Sequence, residues 1–252
     1  MESFFTPKAY LIARPSLNAE GVAMFLKDHN YEWQIQDTPS DGDLLPEFCG
    51  RMCYCSFGKK QGRKTNHEYM KNIIEMGHGS VIEHANYTIL FAHVSRGFTH
   101  EMVRHRAGFA YSQESTHYID YTPETFKGYI PKDLDNGIWE MNENVMKIAV
   151  EGYKHTYNAL TKKGMKKKEA CAIARQLLPT GTEAKLAVTG NVRAWRHFME
   201  TRGNKHNVPE IRDAAICVFD ILINECPNLL YGITKIQEDD GKWSIASSFR
   251  KI

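Results

Sequence analysis

Residues 87–118 read YTILFAHVSRGFTHEMVRHRAGFAYSQESTHY, and the chain changes character twice within them. The first part, Tyr87 to Val94, is a continuous run rich in β-branched and aromatic side chains, which reads as a buried strand. Phe98, Met102 and Val103 then make the stretch from Gly97 to Arg106 an apolar, helical one. Residues 107–116 are small and polar and predict an irregular connection. Three basic or polar side chains, Arg104, His105 and Arg106, stand where the predicted helix meets that connection.

Working outward, residues 8–13 predict a first strand and residues 18–29 a helix. Residues 31–46, rich in Asp and Pro, predict a loop, and helices are predicted over 44–57 and 66–76. Ile138, Met141, Val145, Ile148 and Ala149 recur at helical spacing and predict a long helix ending at Gly164. A helix over 168–178 is stopped by Pro179, and residues 185–189 predict a short strand. Asn191 is a credible N-cap for a helix reaching Arg202, and Pro209 opens another running to about Cys226. No linker, repeat or composition break interrupts this order. The reading is one domain over residues 1–252, α+β and mostly helical.

A hydrophobic share of 42% and a charged share of 25% are ordinary for a globular chain. A formal charge of +2 gives no general attraction to nucleic acid or membrane surfaces. No apolar run approaches a membrane span, and Met1 to Pro7 lacks the basic and apolar regions of a signal peptide. The expected setting is cytoplasmic, with the six cysteines reduced. Cys49, Cys53 and Cys55 lack the spacing of a zinc knuckle and are expected on the buried face of the 44–57 helix. The lysines of residues 162–168, around Gly164, predict a solvated junction between two helices.

There is no glycine fingerprint after a strand and no P-loop. His100 and Glu101 start a pattern resembling a zinc-protease helix, but the second histidine, His105, falls five residues on. On a helix that rotates it by about 140°, too far to share one metal. No metal is expected. Arginine suits phosphate and carbonyl oxygens because its donors form a rigid fork. The plain alternative for Arg104–Arg106 is an exposed basic helix end paired with Glu101 and Glu114.

The surrounding sequence carries a resemblance. GHGSVIEHANYT from Gly77 and the block from Ser95 to Tyr118 are followed by RQLLP, TGNVRAWRHFMETRGNKH and PEIR. In order and spacing these resemble the ThyX family of flavin-dependent thymidylate synthases, whose signature is Arg-His-Arg, seven or eight residues, then Ser. Eight residues separate Arg106 from Ser115 here, and the similarity spans roughly residues 51–215.

The resemblance implies an α+β fold with a central, mainly antiparallel sheet flanked by helices, and a homotetramer with shared active sites. It implies reductive methylation of dUMP at C5 to dTMP, with FAD, NADPH and methylenetetrahydrofolate. Ser56, His78, Ser80, Glu83, Arg104, His105, Arg106, Asn191, Arg193, His197 and His206 match flavin-binding positions. Glu101, Arg104, Gln113, Glu114, Ser115, Thr116, His117, Arg175 and Arg202 match the nucleotide-binding ones. Arg202 is the expected catalytic residue, since a guanidinium on the uracil N3/O4 edge would make C5 nucleophilic without a covalent adduct. None of the cysteines is followed by His, so the nucleophile of the cysteine-dependent thymidylate synthases is missing. Ser115 has no evident local base and reads as a ligand, not a nucleophile.

One position departs from the pattern. The family continues Ser-x-Arg-Tyr where this chain has Ser115-Thr116-His117-Tyr118, so a nucleotide-binding arginine is replaced by a shorter, partly charged side chain. This leaves open another pyrimidine nucleotide such as UMP, or a hydroxymethyl product. A non-catalytic nucleotide- or RNA-binding relative is the reading from another class; no stable nucleic-acid partner is expected, since the near-neutral charge argues against one.

Overall fold

The computed structural model describes residues 2–4 and 6–249. Along the chain run β1 (Glu2–Phe4), β2 (Lys8–Ala13), α1 (Ala19–Asp28), α2 (Asp41–Cys53) and α3 (Asn66–Glu75). A 3-10 turn (Gly79–His84) leads into β3 (Asn86–Ser95), α4 (Arg96–Met102), β4 (Phe109–Gln113) and β5 (Lys127–Tyr129). Then come α5 (Asn136–Lys162), α6 (Lys167–Ala174), β6 (Glu183–Asn191), α7 (Val192–Arg202), α8 (Pro209–Glu225), β7 (Ile233–Gln237) and β8 (Trp243–Ser247).

The central sheet has the order β2-β3-β6-β4 and every pairing in it is antiparallel. Alternation along β3 and β6 sends Tyr87, Ile89, Phe91, Leu186 and Val188 to one face, where they are fully buried. Helices α7 and α8 cover that face with Trp195, Phe198, Met199, Ala215, Val218 and Leu222 in the same core. A smaller core around Phe126, Met146, Val150 and Tyr153 joins α5 to the segment before it. No described helix is long and apolar enough to cross a membrane.

Most predicted elements are present, and the differences have local causes. The loop predicted over 31–46 ends at Ser40, whose Oγ accepts from the Asp43 amide at 3.1 Å and starts α2, so Pro46 lies within a helix. That helix stops at Cys53 because Cys55 and Gly58 take left-handed conformations, with φ of 48° and 57°. Cys53 and Cys55 are exposed and Cys49 half-buried, so the buried cysteine face expected there does not form. The helix predicted over 97–106 ends at Met102, and the predicted irregular segment contains strand β4. Helix α5 forms as predicted and turns at Gly164. Yet Ile138, Met141, Val145 and Ile148, the residues whose spacing predicted it, are exposed, while Met146, Val150 and Tyr153 are its buried side.

Strand β3 hands directly to α4, and the handover depends on a carboxylate from α8. The Ser95 side chain accepts from the Phe98 amide at 3.0 Å as the N-cap. Glu210 accepts from the Ser95 amide at 2.6 Å and from its hydroxyl at 2.7 Å. Burial pushes the Glu210 carboxyl up to about 7, although the two bonds from Ser95 oppose the shift. A carboxyl raised in the folded state stabilises the fold below its ordinary value and loses that contribution as pH climbs through the raised one. Glu210→Gln should therefore flatten the fall in stability between about pH 4.5 and 7. Denaturant titrations of both proteins across that range measure it; parallel pH profiles would contradict it.

Candidate functional site

The Arg104–Arg106 segment is a turn, held from below. The Tyr111 hydroxyl shares its one hydrogen between the carbonyl of Met102, at 3.0 Å, and that of His105. The turn closes at Gly108, whose φ is 76° and whose place allows no side chain. A Cβ there would lie 2.8 Å from Asn191 Nδ2 and 2.9 Å from Ala194 Cβ. Those two residues begin α7, and Asn191 caps it by accepting from the Ala194 amide at 2.9 Å. The start of α7 is thus packed against the turn, and its other end returns Arg202 to the same place.

Arg202 donates from Nε to His105 Nε2 at 3.0 Å and from Nη1 to Glu101 Oε2 at 2.9 Å. Its Nη2 makes no hydrogen bond among the described residues. For His105 to accept at Nε2 the ring must be neutral, with its proton on Nδ1. Burial, then Arg202, His197 and Arg104, push its pKa down to about 4, which satisfies that condition. The ring packs edge-on against Phe198 at 5.4 Å and His197 at 5.8 Å. Arg104, His105, Arg106, Phe109, His197 and Arg202 line one cavity of about 460 Å³. No carboxylate lines it, so it offers donors, cations and one aromatic wall.

A second cavity, about 320 Å³, is lined by Thr116 and Arg175 together with Arg96, His100 and Gln176. Arg175 donates from Nη1 to Thr116 Oγ1 at 3.1 Å, across from the end of α6. Arg96 and His100 lie one turn apart on α4, and the sequence did not single them out as lining this cavity; only their i, i+4 spacing beside the signature pointed there. Again no carboxylate lines the cavity, which suits an anion.

The remaining predicted residues line neither cavity. Glu83 pairs with Arg193 at 2.6 Å, tying the 3-10 turn to α7. His78 stacks on Tyr54, a residue the sequence reading overlooked, with ring centroids 5.9 Å apart. Ser56 follows Tyr54, and its buried Oγ has no partner among the described residues. Ser80 and His206 are exposed. Gln113 donates to Thr99 at 3.2 Å, and Glu114 accepts from Lys185 at 3.0 Å. Glu101 and Glu114 are thus engaged by Arg202 and Lys185, so the pairing expected of a plain basic helix end does not form, while Arg104 and Arg106 stay exposed. Ser115 Oγ accepts weakly from the His117 amide at 3.4 Å, while the buried Nε2 of His117 has no partner.

A family profile described as "Thymidylate synthase complementing protein" matches residues 34–228 of this chain, a span containing every residue of both cavities. The chain belongs to that family. Its similar curated relatives in the thymidylate synthase complementing protein family carry the name flavin-dependent thymidylate synthase. The protein of Corynebacterium diphtheriae is 33% identical over 236 residues, covering 89% of this chain and 92% of its own. That of Mycobacterium leprae is 35% identical over 221 residues, covering 81% and 84%. That of Mycobacterium avium is 37% identical over 206 residues, covering 76% and 79%.

A family member of this type needs a place for a flavin, and the residues fit one. The carboxylate-free cavity at Arg104–Arg106 and its aromatic wall match a ligand with carbonyl and phosphate oxygens on a flat ring system. Because Tyr111 holds the turn on which that cavity depends, Tyr111→Phe should destabilise the fold by about 1 kcal/mol. It should also weaken flavin binding. Chemical denaturation and a titration with FAD measure both; unchanged flavin affinity would show that the turn holds its shape without the hydroxyl.

Proposed function

We propose that this chain is a flavin-dependent thymidylate synthase acting as a single catalytic domain over residues 1–252. The overall reaction joins dUMP, methylenetetrahydrofolate, NADPH and a proton, and yields dTMP, tetrahydrofolate and NADP⁺. When bound, FAD would supply redox chemistry driven by NADPH. The observation that carries the reading is Arg202, a guanidinium fixed on two sides and open on the third.

The chemistry asks for negative charge on the uracil ring, because C5 attacks carbon only when electrons are pushed toward it. Arg202 answers with its free Nη2, which would donate to the N3/O4 edge as charge develops there. Glu101 and neutral His105 hold its Nη1 and Nε sides and spare it the cost of reorganising during the reaction. Arg104, Arg106 and His197 would hold the flavin, with His105 against it, and His78, Ser80, Ser56, Glu83, Asn191, Arg193 and His206 would extend that site. The cavity in one chain is too small for a whole dinucleotide, which supports a site completed by another subunit.

Arg96 and His100, one turn apart on α4 and lining one cavity, support the assignment of the nucleotide. The cavity of Arg96, His100, Thr116 and Arg175 would take the phosphate, with Gln113, Glu114, Ser115 and His117 along its side. A second reading, in which the acceptor is another pyrimidine nucleotide such as UMP, is not favoured, since the curated relatives carry the name of thymidylate synthases.

Tritium release from 5-tritiated dUMP and UMP, with FAD, NADPH and methylenetetrahydrofolate present, tests both readings. Release from dUMP supports thymidylate synthesis, release from UMP alone moves the acceptor, and release from neither overturns the proposal. His117→Arg should tighten dUMP binding if the ring lies on the nucleotide; unchanged or weaker affinity in an equilibrium titration counts against that placement.

The exposed stripe of Ile138, Met141, Val145 and Ile148 on α5 supports a homotetramer. Burying what remains exposed of each would contribute about 1–2 kcal/mol to an interface. Val145→Glu with Ile148→Glu should lower the mass measured by light scattering, whereas an unchanged assembly would place the subunit contact elsewhere. The reading places the enzyme in the cytoplasm.

A further inference from the structure

Of the sequence blocks that carry the family resemblance, PEIR at residues 209–212 gives no side chain to either cavity. Pro209 opens α8 and Glu210 stands in its first turn, buried, with Ile211 and Ala214 anchored in the main core. Both Glu210 oxygens go to one residue, accepting from the Ser95 amide at 2.6 Å and from the Ser95 hydroxyl at 2.7 Å. No lysine, arginine or histidine pairs with this carboxylate among the described residues, and the nearest charge that acts on it is another carboxylate, Glu101.

A buried carboxylate without a cation is costly, and an amide of the same shape would avoid the charge. The amide could not accept on both sides. The Ser95 hydroxyl has one hydrogen, and a carboxylate offers only lone pairs. The hydrogen is therefore drawn to Glu210, and the lone pairs of Oγ are left for the Phe98 amide at 3.0 Å. The other two amides of this first turn of α4 are fixed by the segment after Arg175. Those of Arg96 and Gly97 donate to the carbonyls of Thr182 and Thr180 at 2.9 and 3.0 Å. With all three engaged, the start of the helix has one position. Arg96 opens that turn and His100 follows one turn on, and both line the cavity that Arg175 and Thr180 share.

We infer that Glu210 is a positioning residue of the nucleotide site, acting through Ser95 and the first turn of α4 on Arg96 and His100. The inference rests on the reading of their cavity as the place of the nucleotide phosphate. Glu210 itself touches no ligand; it sets where two of the cavity's donors stand. The flavin cavity takes its lining from the Arg104–Arg106 turn, the start of β4 and α7, with no side chain from the first turn of α4. Nucleotide affinity therefore depends on Glu210, and flavin affinity does not.

The test titrates the assembled, FAD-loaded protein with dUMP, without folate or NADPH, and measures FAD affinity for the same variants. Glu210→Gln and Ser95→Ala should each weaken dUMP about fivefold, the size of one helix-cap contribution, with FAD affinity unchanged. Glu210→Asp keeps the charge but not the reach; it should weaken dUMP too, and it carries the test if the glutamine variant fails to fold. Glu210→Gln combined with Ser95→Ala should bind dUMP no more weakly than Ser95→Ala alone, because both changes act through one bond. Full additivity of the two, or equal losses of dUMP and FAD, would overturn the inference. So would dUMP affinity unchanged in the single variants while Arg96→Ala weakens it. Arg96→Ala without effect on dUMP would overturn the nucleotide reading, and the inference with it.

Discussion

Arg202 gives its Nε hydrogen to the Nε2 lone pair of His105 at 3.0 Å, and that bond exists only while the imidazole is uncharged. A protonated ring would present a donor to a donor and a cation to a cation. The surroundings prevent it: burial comes first, and the positive charge of Arg202 itself acts in the same direction. The pair is thus self-consistent, since the cation that needs the lone pair helps to keep it available. Glu101 then fixes the second arm of the guanidinium at 2.9 Å. What remains is a directed cation facing a carboxylate-free cavity.

Everything nearby serves to bring those three side chains together from distant stretches. Glu101 comes from α4, which begins only because Glu210 and Ser95 organise its first turn. His105 comes from a turn that Tyr111 grips by two carbonyls. Arg202 comes from the far end of α7, whose cap at Asn191 packs on Gly108 of the same turn. At the last turn of a helix its charge is also favourably placed for the helix dipole. Helix α4 then links both cavities, offering Arg96 and His100 to one and Glu101, through Arg202, to the other.

Much of this was legible in the sequence. Strands β3 and β6 and helices α7 and α8 follow periodicity and caps, because burial on one face imposes a regular pattern. Strand β4 was not, since Phe109-Ala-Tyr-Ser-Gln is short, small and beside a glycine, and it is paired by β6 rather than by its own propensity. The end of α4 was hidden because arginine is a good helix former, and Tyr111 sets the stop through tertiary contacts. Asn191 and Pro209 announced themselves by local chemistry. Arg202 did not: only family resemblance distinguished it from an ordinary basic helix end. That Arg96 and His100 share a cavity with Arg175 was invisible in the sequence, because the fold makes that cavity. The α5 stripe was read correctly as a helix, but periodicity cannot say whether the apolar side meets its own chain.

The most direct measurement of the central claim is the nitrogen-15 NMR signal of His105 in the resting protein, followed as pH falls. The account predicts an Nε2 without a proton, shifted as a hydrogen-bond acceptor, with the proton on Nδ1. That state should persist well below the ordinary histidine value of 6.5 and give way only near the depressed value of about 4. A ring protonated at Nε2 at neutral pH, or titrating at its ordinary value, would mean that Arg202 is not held as described.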